Sequence, residues 1–312
     1  MISSLPAPTA TGRAHWLLTR LPGWAKILTV GASLWALSVG VLIATGDEYV
    51  VAAVALGAFV VPLALAAGLT DRARRRAIAP QMMLRLAACG GLLGFLASAL
   101  LERPILSEPV PVFDGWVGVI EETSKLALLA LLTRRLVDTN PRAGFLLGGM
   151  VGAGFSAFES AGYAVSAAIN TGGSGHAVIY MVLARATAAP FTHVLWTAVA
   201  GAALFASRRD RRFRLAPVLV LTLVAVAVLH AGWDMMPSIA SGLHSWLAGA
   251  HSRSAFSTTV LLDTGEAMLS APPLLVAYRL LRPARAPGSH AALERSGGTH
   301  PALAAHTDRS AA

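Results

Sequence analysis

Residues 49–70 read YVVAAVALGAFVVPLALAAGLT, 22 positions without a charged side chain. A helix of about 20 apolar residues spans the hydrocarbon core of a bilayer, and this run has that length. It ends in Asp71-Arg72-Ala73-Arg74-Arg75-Arg76, a dense basic flank. Working outward from it, comparable apolar runs lie at about 25–45, 80–101, 115–136, 143–168, 178–206, 214–236 and 259–281. Lipid offers no partner to a free N–H or C=O, so each span must satisfy its own backbone. The runs are also too long for barrel strands. The expected fold is therefore all-α: a polytopic membrane helix bundle of about eight transmembrane helices.

Composition agrees. Of 312 residues, 55% are hydrophobic and only 13% charged, against about 25% charged in an ordinary soluble domain. Mean hydropathy is +0.62. A disordered chain is excluded. The net charge of +9 could suggest nucleic acid, but position explains it. With the N-terminus inside, 20 of the 25 Lys and Arg fall in cytoplasmic segments, and only Arg103 and Arg253 fall outside. That is the positive-inside pattern. It puts both termini in the cytoplasm, removes the case for nucleic acid, and sets the basic segments against anionic lipid headgroups. The single cysteine, Cys89, can form neither an internal disulfide nor a CxxC metal site.

The expected organisation is a cytoplasmic segment 1–24, a membrane domain 25–282 with its core at about 115–236, and a disordered cytoplasmic tail 283–312. The tail histidines, His290, His300 and His306, are too scattered for a metal site. Residues 237–258, with His244, Trp246 and His251, read as an external interfacial loop. Only Asn170-Thr171-Gly172-Gly173-Ser174-Gly175 separates the fifth run from the sixth. Gly148, Gly149, Gly152 and Gly154 give the fifth run small-residue spacing for close helix packing.

The informative residues are those that should not lie in a membrane. An ionisable group in a span costs at least about 2.5–3.5 kcal/mol and survives mostly when it faces the interior with a partner. The fourth run holds Glu121-Glu122-Thr123-Ser124-Lys125. One ammonium there reaches both carboxylates on one helix face, at i,i+4 and i,i+3. Two carboxylates against one ammonium leave net negative charge, a starting point for a general base. The fifth run holds Phe158-Glu159-Ser160-Ala161-Gly162-Tyr163, whose phenol can donate to Glu159 at i,i+4. The sixth holds Arg185 and His193, with Trp196 and Thr197 beyond. The seventh holds His230 and Asp234, again i,i+4, so the carboxylate can orient the imidazole. At about 1.5 Å rise per residue, four helices of alternating direction place these groups at one level, in the outer half of the membrane. Asp263 and Glu266 of the last run are placed to rim the same cavity.

EExxK (Glu121, Glu122, Lys125), FExxxY (Phe158, Glu159, Tyr163), a lone intramembrane His193 and HxxxD (His230, Asp234) together resemble the PrsW family of intramembrane proteases. That family is similar to the wider superfamily of type II CAAX-prenyl endopeptidases (CPBP-like). The superfamily pattern is EExxxR, FxxxH and HxxxN. Here Lys125 stands one position early, Gly162 occupies the histidine place and Asp234 replaces Asn. The resemblance implies an integral protein of a bacterial inner membrane. Its implied activity is hydrolysis of a peptide bond in a single-span membrane-anchored protein, such as an anti-sigma factor, near the extracytoplasmic side.

On that footing Glu121 or Glu122 activates water, His193 holds the water or a metal, and His230, held by Asp234, stabilises the oxyanion. Lys125 keeps one glutamate charged, and Glu159 with Tyr163 buttresses the site. Arg185 neutralises a carboxylate or contacts substrate. His193 and His230 with Glu159 or Glu121 could hold Zn²⁺ with an open water position. There is no HExxH motif, so glutamate-only and metal-dependent hydrolysis both stay open. Two other readings compete. A proton-coupled transporter would also carry intramembrane Glu, His, Lys and Asp, although the two halves show no internal repeat. A non-catalytic membrane scaffold would retain the motifs without the reaction.

Overall fold

The computed structural model of the protein describes residues 20–46, 50–104, 114–136, 140–188, 190–210, 212–248 and 255–282. Expectations for residues 1–19, for the tail from 283 and for His251 lie outside these. The helices are α1 (Gly23–Thr45), α2 (Val50–Arg74), α3 (Pro80–Arg85), α4 (Gly91–Glu102), α5 (Asp114–Thr133), α6 (Pro141–Asn170), α7 (Gly175–Ala188), α8 (His193–Ala206), α9 (Pro217–Ala248) and α10 (Ala255–Leu281). A π-helical turn, Leu86–Gly90, joins α3 to α4.

Among the described residues, six segments are long and apolar enough to cross a membrane: Gly23–Thr45, Val50–Arg74, Pro80–Glu102, Gly175–Ala206, Pro217–Leu247 and Thr258–Leu281. The protein is an integral membrane protein. Two further long helices, α5 and α6, fall outside that set. α5 holds Glu121, Glu122 and Lys125 within one turn, and α6 holds Glu159 among six glycines.

α6 is the central helix. It packs against α8, α2, α7, α4 and α5, and its residues from Ala143 to Ala157 are all buried. Asn140 caps it, accepting from the Arg142 N–H at 2.9 Å, and Pro141 takes the first helical position. Its glycines explain the close approach. A Cβ at Gly144, Gly148 or Gly152 would overlap the carbonyl oxygens of Gly201, Thr197 and His193 respectively, so α6 and α8 touch backbone to backbone. On the opposite side Gly154 meets Ala87 of the π turn in the same way. Small residues let packing replace the hydrophobic drive that lipid does not supply. A similar contact at Gly118 of α5, where a Cβ would sit 2.7 Å from the Ala227 oxygen, brings α5 onto α9.

Three features differ from the sequence expectation. The sixth run is not one helix: α7 stops at Ala188 and α8 starts at His193. Pro190 has no N–H to continue the ladder. Phe191 and Thr192 both turn their N–H back to the Ala188 oxygen, at 2.9 and 3.1 Å, before Trp196 N–H restarts the helix on Thr192 O at 2.9 Å. The seventh run does not end near 236. α9 continues through Pro237 to Ala248, so the described part of the expected external loop is helical. No charged residue lies between Asp234 and Arg253, and a proline inside a membrane helix is tolerated. Finally, the basic loop after α8 holds a two-strand hairpin, Arg208–Arg209 against Arg212–Phe213. The Arg208 guanidinium lies 4.8 Å over the Phe213 ring and donates to the Arg134 carbonyl at the end of α5, at 2.8 Å.

Candidate active site

Five helices bring one buried ionic cluster together. From α5, Lys125 is fully buried and its Nζ donates to Glu121 Oε2 at 2.9 Å and to Glu122 Oε1 at 2.8 Å. The same Nζ lies 2.9 Å from His193 Nδ1 at the start of α8, and 3.8 Å above the Phe155 ring of α6. Because the ammonium can only donate, His193 Nδ1 accepts and Nε2 carries the ring proton. That Nε2 lies 2.6 Å from Glu159 Oε2 of α6, so Glu159 fixes the tautomer and the ring plane of His193. Arg185 of α7 in turn pairs with the Glu159 carboxylate, and its Nε reaches Ser160 Oγ at 3.4 Å.

α9 supplies the second imidazole. His230 Nδ1 lies 3.1 Å from Glu122 Oε1, while Nε2 lies 3.5 Å from Asp234 Oδ2 and 3.6 Å from Glu121 Oε2. The two imidazoles stand edge to face at 5.0 Å between ring centres. Trp196 lies against both, 4.8 Å from His230 and 5.8 Å from His193. Aromatic walls on this side and Phe155 on the other keep the cluster in a low-dielectric setting, where each ion pair is stronger and each unpaired charge costs more.

The two adjacent glutamates have different surroundings. Glu122 is 1% exposed and is held by Lys125, His230 and the Thr197 hydroxyl, which lies 3.4 Å from Oε2. Glu121 instead lines a cavity of about 370 Å³, together with Phe95, Ser98, Ala99, Glu102, Val117, Glu159, Tyr163 and Asp234. Of the pair, Glu121 is the one that lines this cavity, where a reactant can sit.

The structure therefore gathers Glu121, Glu122, Lys125, Glu159, Arg185, His193, His230 and Asp234. It does not gather Phe158, whose ring points to α2 and packs edge-on against Phe59 at 5.4 Å. Adjacent helical positions do not share a face, so Phe158 and Glu159 part company. Tyr163 lines the cavity, but among the described residues its hydroxyl makes no hydrogen bond to Glu159. Arg185 has taken the carboxylate and lies 4.6 Å over the Tyr163 ring. Asp263 and Glu266 line a different cavity of about 320 Å³, together with Trp233. Sequence reasoning passed over Phe155, Ser98 and Glu102. Glu102 closes the third apolar run, a position easily taken for the end of a span rather than the wall of a site.

Glu121, Glu122, His193 and His230 are all buried, with potential ligand atoms within 4.8 Å of one another. Two imidazoles and two carboxylates are a donor set that fits a divalent ion such as zinc. Glu159 lies outside that group, engaged by Arg185 and His193. Lys125 Nζ stands among the same donors, so the ammonium and an ion compete for one place.

The profile of a family described as PrsW family intramembrane metalloprotease matches residues 46–261 of the chain. That range covers two thirds of the sequence and every residue of the cluster. Neither curated proteins nor solved structures give a significant match.

Proposed function

This chain belongs to the PrsW family of intramembrane metalloproteases, and on that premise we propose that it hydrolyses a peptide bond in a single-span membrane protein, with Glu121 as the general base. The observation that carries this assignment is the asymmetry of the two glutamates. Glu121 lines the cavity while Glu122 is enclosed by Lys125, His230 and Thr197.

A water in the cavity gives a proton to Glu121, and its oxygen attacks the scissile carbonyl carbon. His230 is held between Glu122 and Asp234 and donates to the developing oxyanion through Nε2. The C–N bond then breaks, and the proton held by Glu121 passes to the leaving amine. Lys125 holds the Glu121 and Glu122 carboxylates in place by donating to both, and Glu159 with Arg185 keeps His193 in one tautomer. A zinc ion, if held by His193, His230 and Glu122, would leave Glu121 free as the base and would supply Lewis-acid activation of water and carbonyl.

In this reading α5 and α6 also cross the membrane, giving eight crossings with both termini cytoplasmic. The support is the distribution of basic residues. The same topology puts the cavity toward the extracytoplasmic face of a bacterial inner membrane, where a membrane-anchored regulator such as an anti-sigma factor would be cut. The test is cleavage of a panel of single-span peptides by purified full-length protein. Wild type should cut at least one, Glu121→Gln should cut none, and Glu122→Gln should lose thermal stability as well. Equal cutting by Glu121→Gln would exclude Glu121 as the general base.

A further inference from the structure

Two polar atoms of α4, on residues that line the cavity, have no hydrogen-bond partner among the described residues. Ser98 is 1% exposed, lines the cavity, and its Oγ has no hydrogen-bond partner among the described residues. One helical turn on, Oε1 of Glu102 is also buried, and Glu102 lines the same cavity with no partner for that oxygen among the described residues. Neither residue belongs to the motifs that carry the ionic cluster.

Ser156 of α6 also lacks a partner among the described residues but does not line the cavity, and other helical hydroxyls return to the chain. Thr70 returns its hydroxyl to the Ala66 carbonyl at 2.7 Å, Thr133 to Leu129 at 2.6 Å, Ser207 to Ala203 at 2.8 Å and Ser270 to Glu266 at 2.9 Å. That back-bond is the ordinary refuge of a hydroxyl in apolar surroundings. Ser98 does not take it. A buried polar group left unpaired costs about 1–3 kcal/mol, and here two of them share one wall of one cavity.

Charge narrows what would satisfy them. Glu121 is paired with Lys125, Glu159 with Arg185, and Asp234 lies 3.5 Å from His230. Among the described residues Glu102 has no ion pair. An unpaired carboxylate oxygen beside an unpaired hydroxyl matches an ammonium or guanidinium, which brings several donors and a positive charge. We propose that Ser98 and Glu102 form a subsite of the cavity that holds a Lys or Arg side chain of the substrate beside the scissile bond. This rests on the protease reading and adds a specificity to it: the preferred cleavage site carries a basic residue at one fixed position.

The experiment is peptide binding to full-length protein in lipid nanodiscs, in a Glu121→Gln background so that the peptide is not consumed. Single-span peptides carry Lys, Gln or Glu at each position of a scan through one end of the span. At one position the Lys peptide should bind about tenfold or more tightly than the Gln peptide, the scale of a hydrogen bond to a charged group. Adding Glu102→Gln should bring that ratio to about one, with an unfolding temperature close to that of the Glu121→Gln parent showing that the protein is folded. Glu102→Lys should turn the preference toward the Glu peptide, and Ser98→Ala should reduce it severalfold.

A preference for Lys that survives Glu102→Gln overturns the proposal, as does the absence of binding or of preference at every position. Calcium or sodium binding to the peptide-free protein, lost in Glu102→Gln while the peptide preference is not, would give the subsite to an inorganic cation and overturn it equally. Wild type that binds these peptides with the expected preference but cuts none of them would leave the subsite standing and remove the protease reading.

Discussion

Replacing Gly152 by Ala adds one methyl group at the seam between α6 and α8, directly behind His193. The new Cβ would overlap the His193 carbonyl oxygen and lie 2.8 Å from its carbonyl carbon and 2.9 Å from Val194 Cα. Carbon atoms in contact prefer about 3.5–4.0 Å, so the seam is short of room by roughly 0.6 Å or more. All three obstructing atoms are backbone, and no side chain can rotate out of the way. The helices must part at the first turn of α8, the turn that presents His193 to Lys125 and Glu159. Overpacking of this kind costs about 1–3 kcal/mol, and a displacement of about 1 Å in a catalytic group costs about a hundredfold in rate. The expected Gly152→Ala protein has a lower unfolding temperature in detergent and a kcat/KM on a cleavable peptide lower by one to two orders of magnitude. Gly40→Ala is the control: a Cβ there meets nothing within 4 Å, and alanine is favoured over glycine in a helix by about 1 kcal/mol. If Gly152→Ala matched Gly40→Ala in both unfolding temperature and kcat/KM, the backbone contact that seats His193 would be refuted.

Two further substitutions probe the cluster itself. Lys125→Met leaves two adjacent buried carboxylates without their shared ammonium, which should destabilise the fold by about 3–5 kcal/mol. Zinc should then raise the unfolding temperature of that variant more than that of wild type, because the ion no longer competes with the ammonium; differential scanning fluorimetry reads both effects. An unchanged melting temperature without metal would mean that the pairing contributes nothing. Glu159→Gln keeps the side-chain volume but frees Arg185 and releases the His193 ring proton from its carboxylate. A loss of about 10–100-fold in kcat with little change in KM is expected, and a change confined to KM would place Glu159 in substrate binding instead.

The membrane character and the convergence of polar groups from several helices were legible in the sequence because both depend on simple periodicities. Apolar runs report spans through length alone. The i,i+3 and i,i+4 spacing of Glu121, Glu122 and Lys125, or of His230 and Asp234, fixes a shared helix face without tertiary information. Glycine spacing pointed to the α6 seam for the same reason. What failed was whatever depends on partners from other helices. Tyr163 has the right spacing to donate to Glu159, but Arg185, 26 residues away, takes that carboxylate. Phe158 sits beside Glu159 in sequence, yet its ring packs toward α2. Pro190 and Pro237 look alike as local signals, and one stops a helix while the other is absorbed within one. Ser98 and Glu102 carry no pattern at all. They matter only because α4 is folded against the cavity that Glu121 opens onto.

The most direct measurement is mass spectrometry of a single-span peptide incubated with full-length protein in H₂¹⁸O. Wild type should yield two fragments, with one ¹⁸O atom in the new carboxyl terminus of the N-terminal fragment, and a folded Glu121→Gln protein should leave the peptide intact. Fragments from Glu121→Gln at the wild-type rate, or intact peptide from a wild type shown to bind it, would mean that this cluster is not a hydrolytic site with Glu121 as its base.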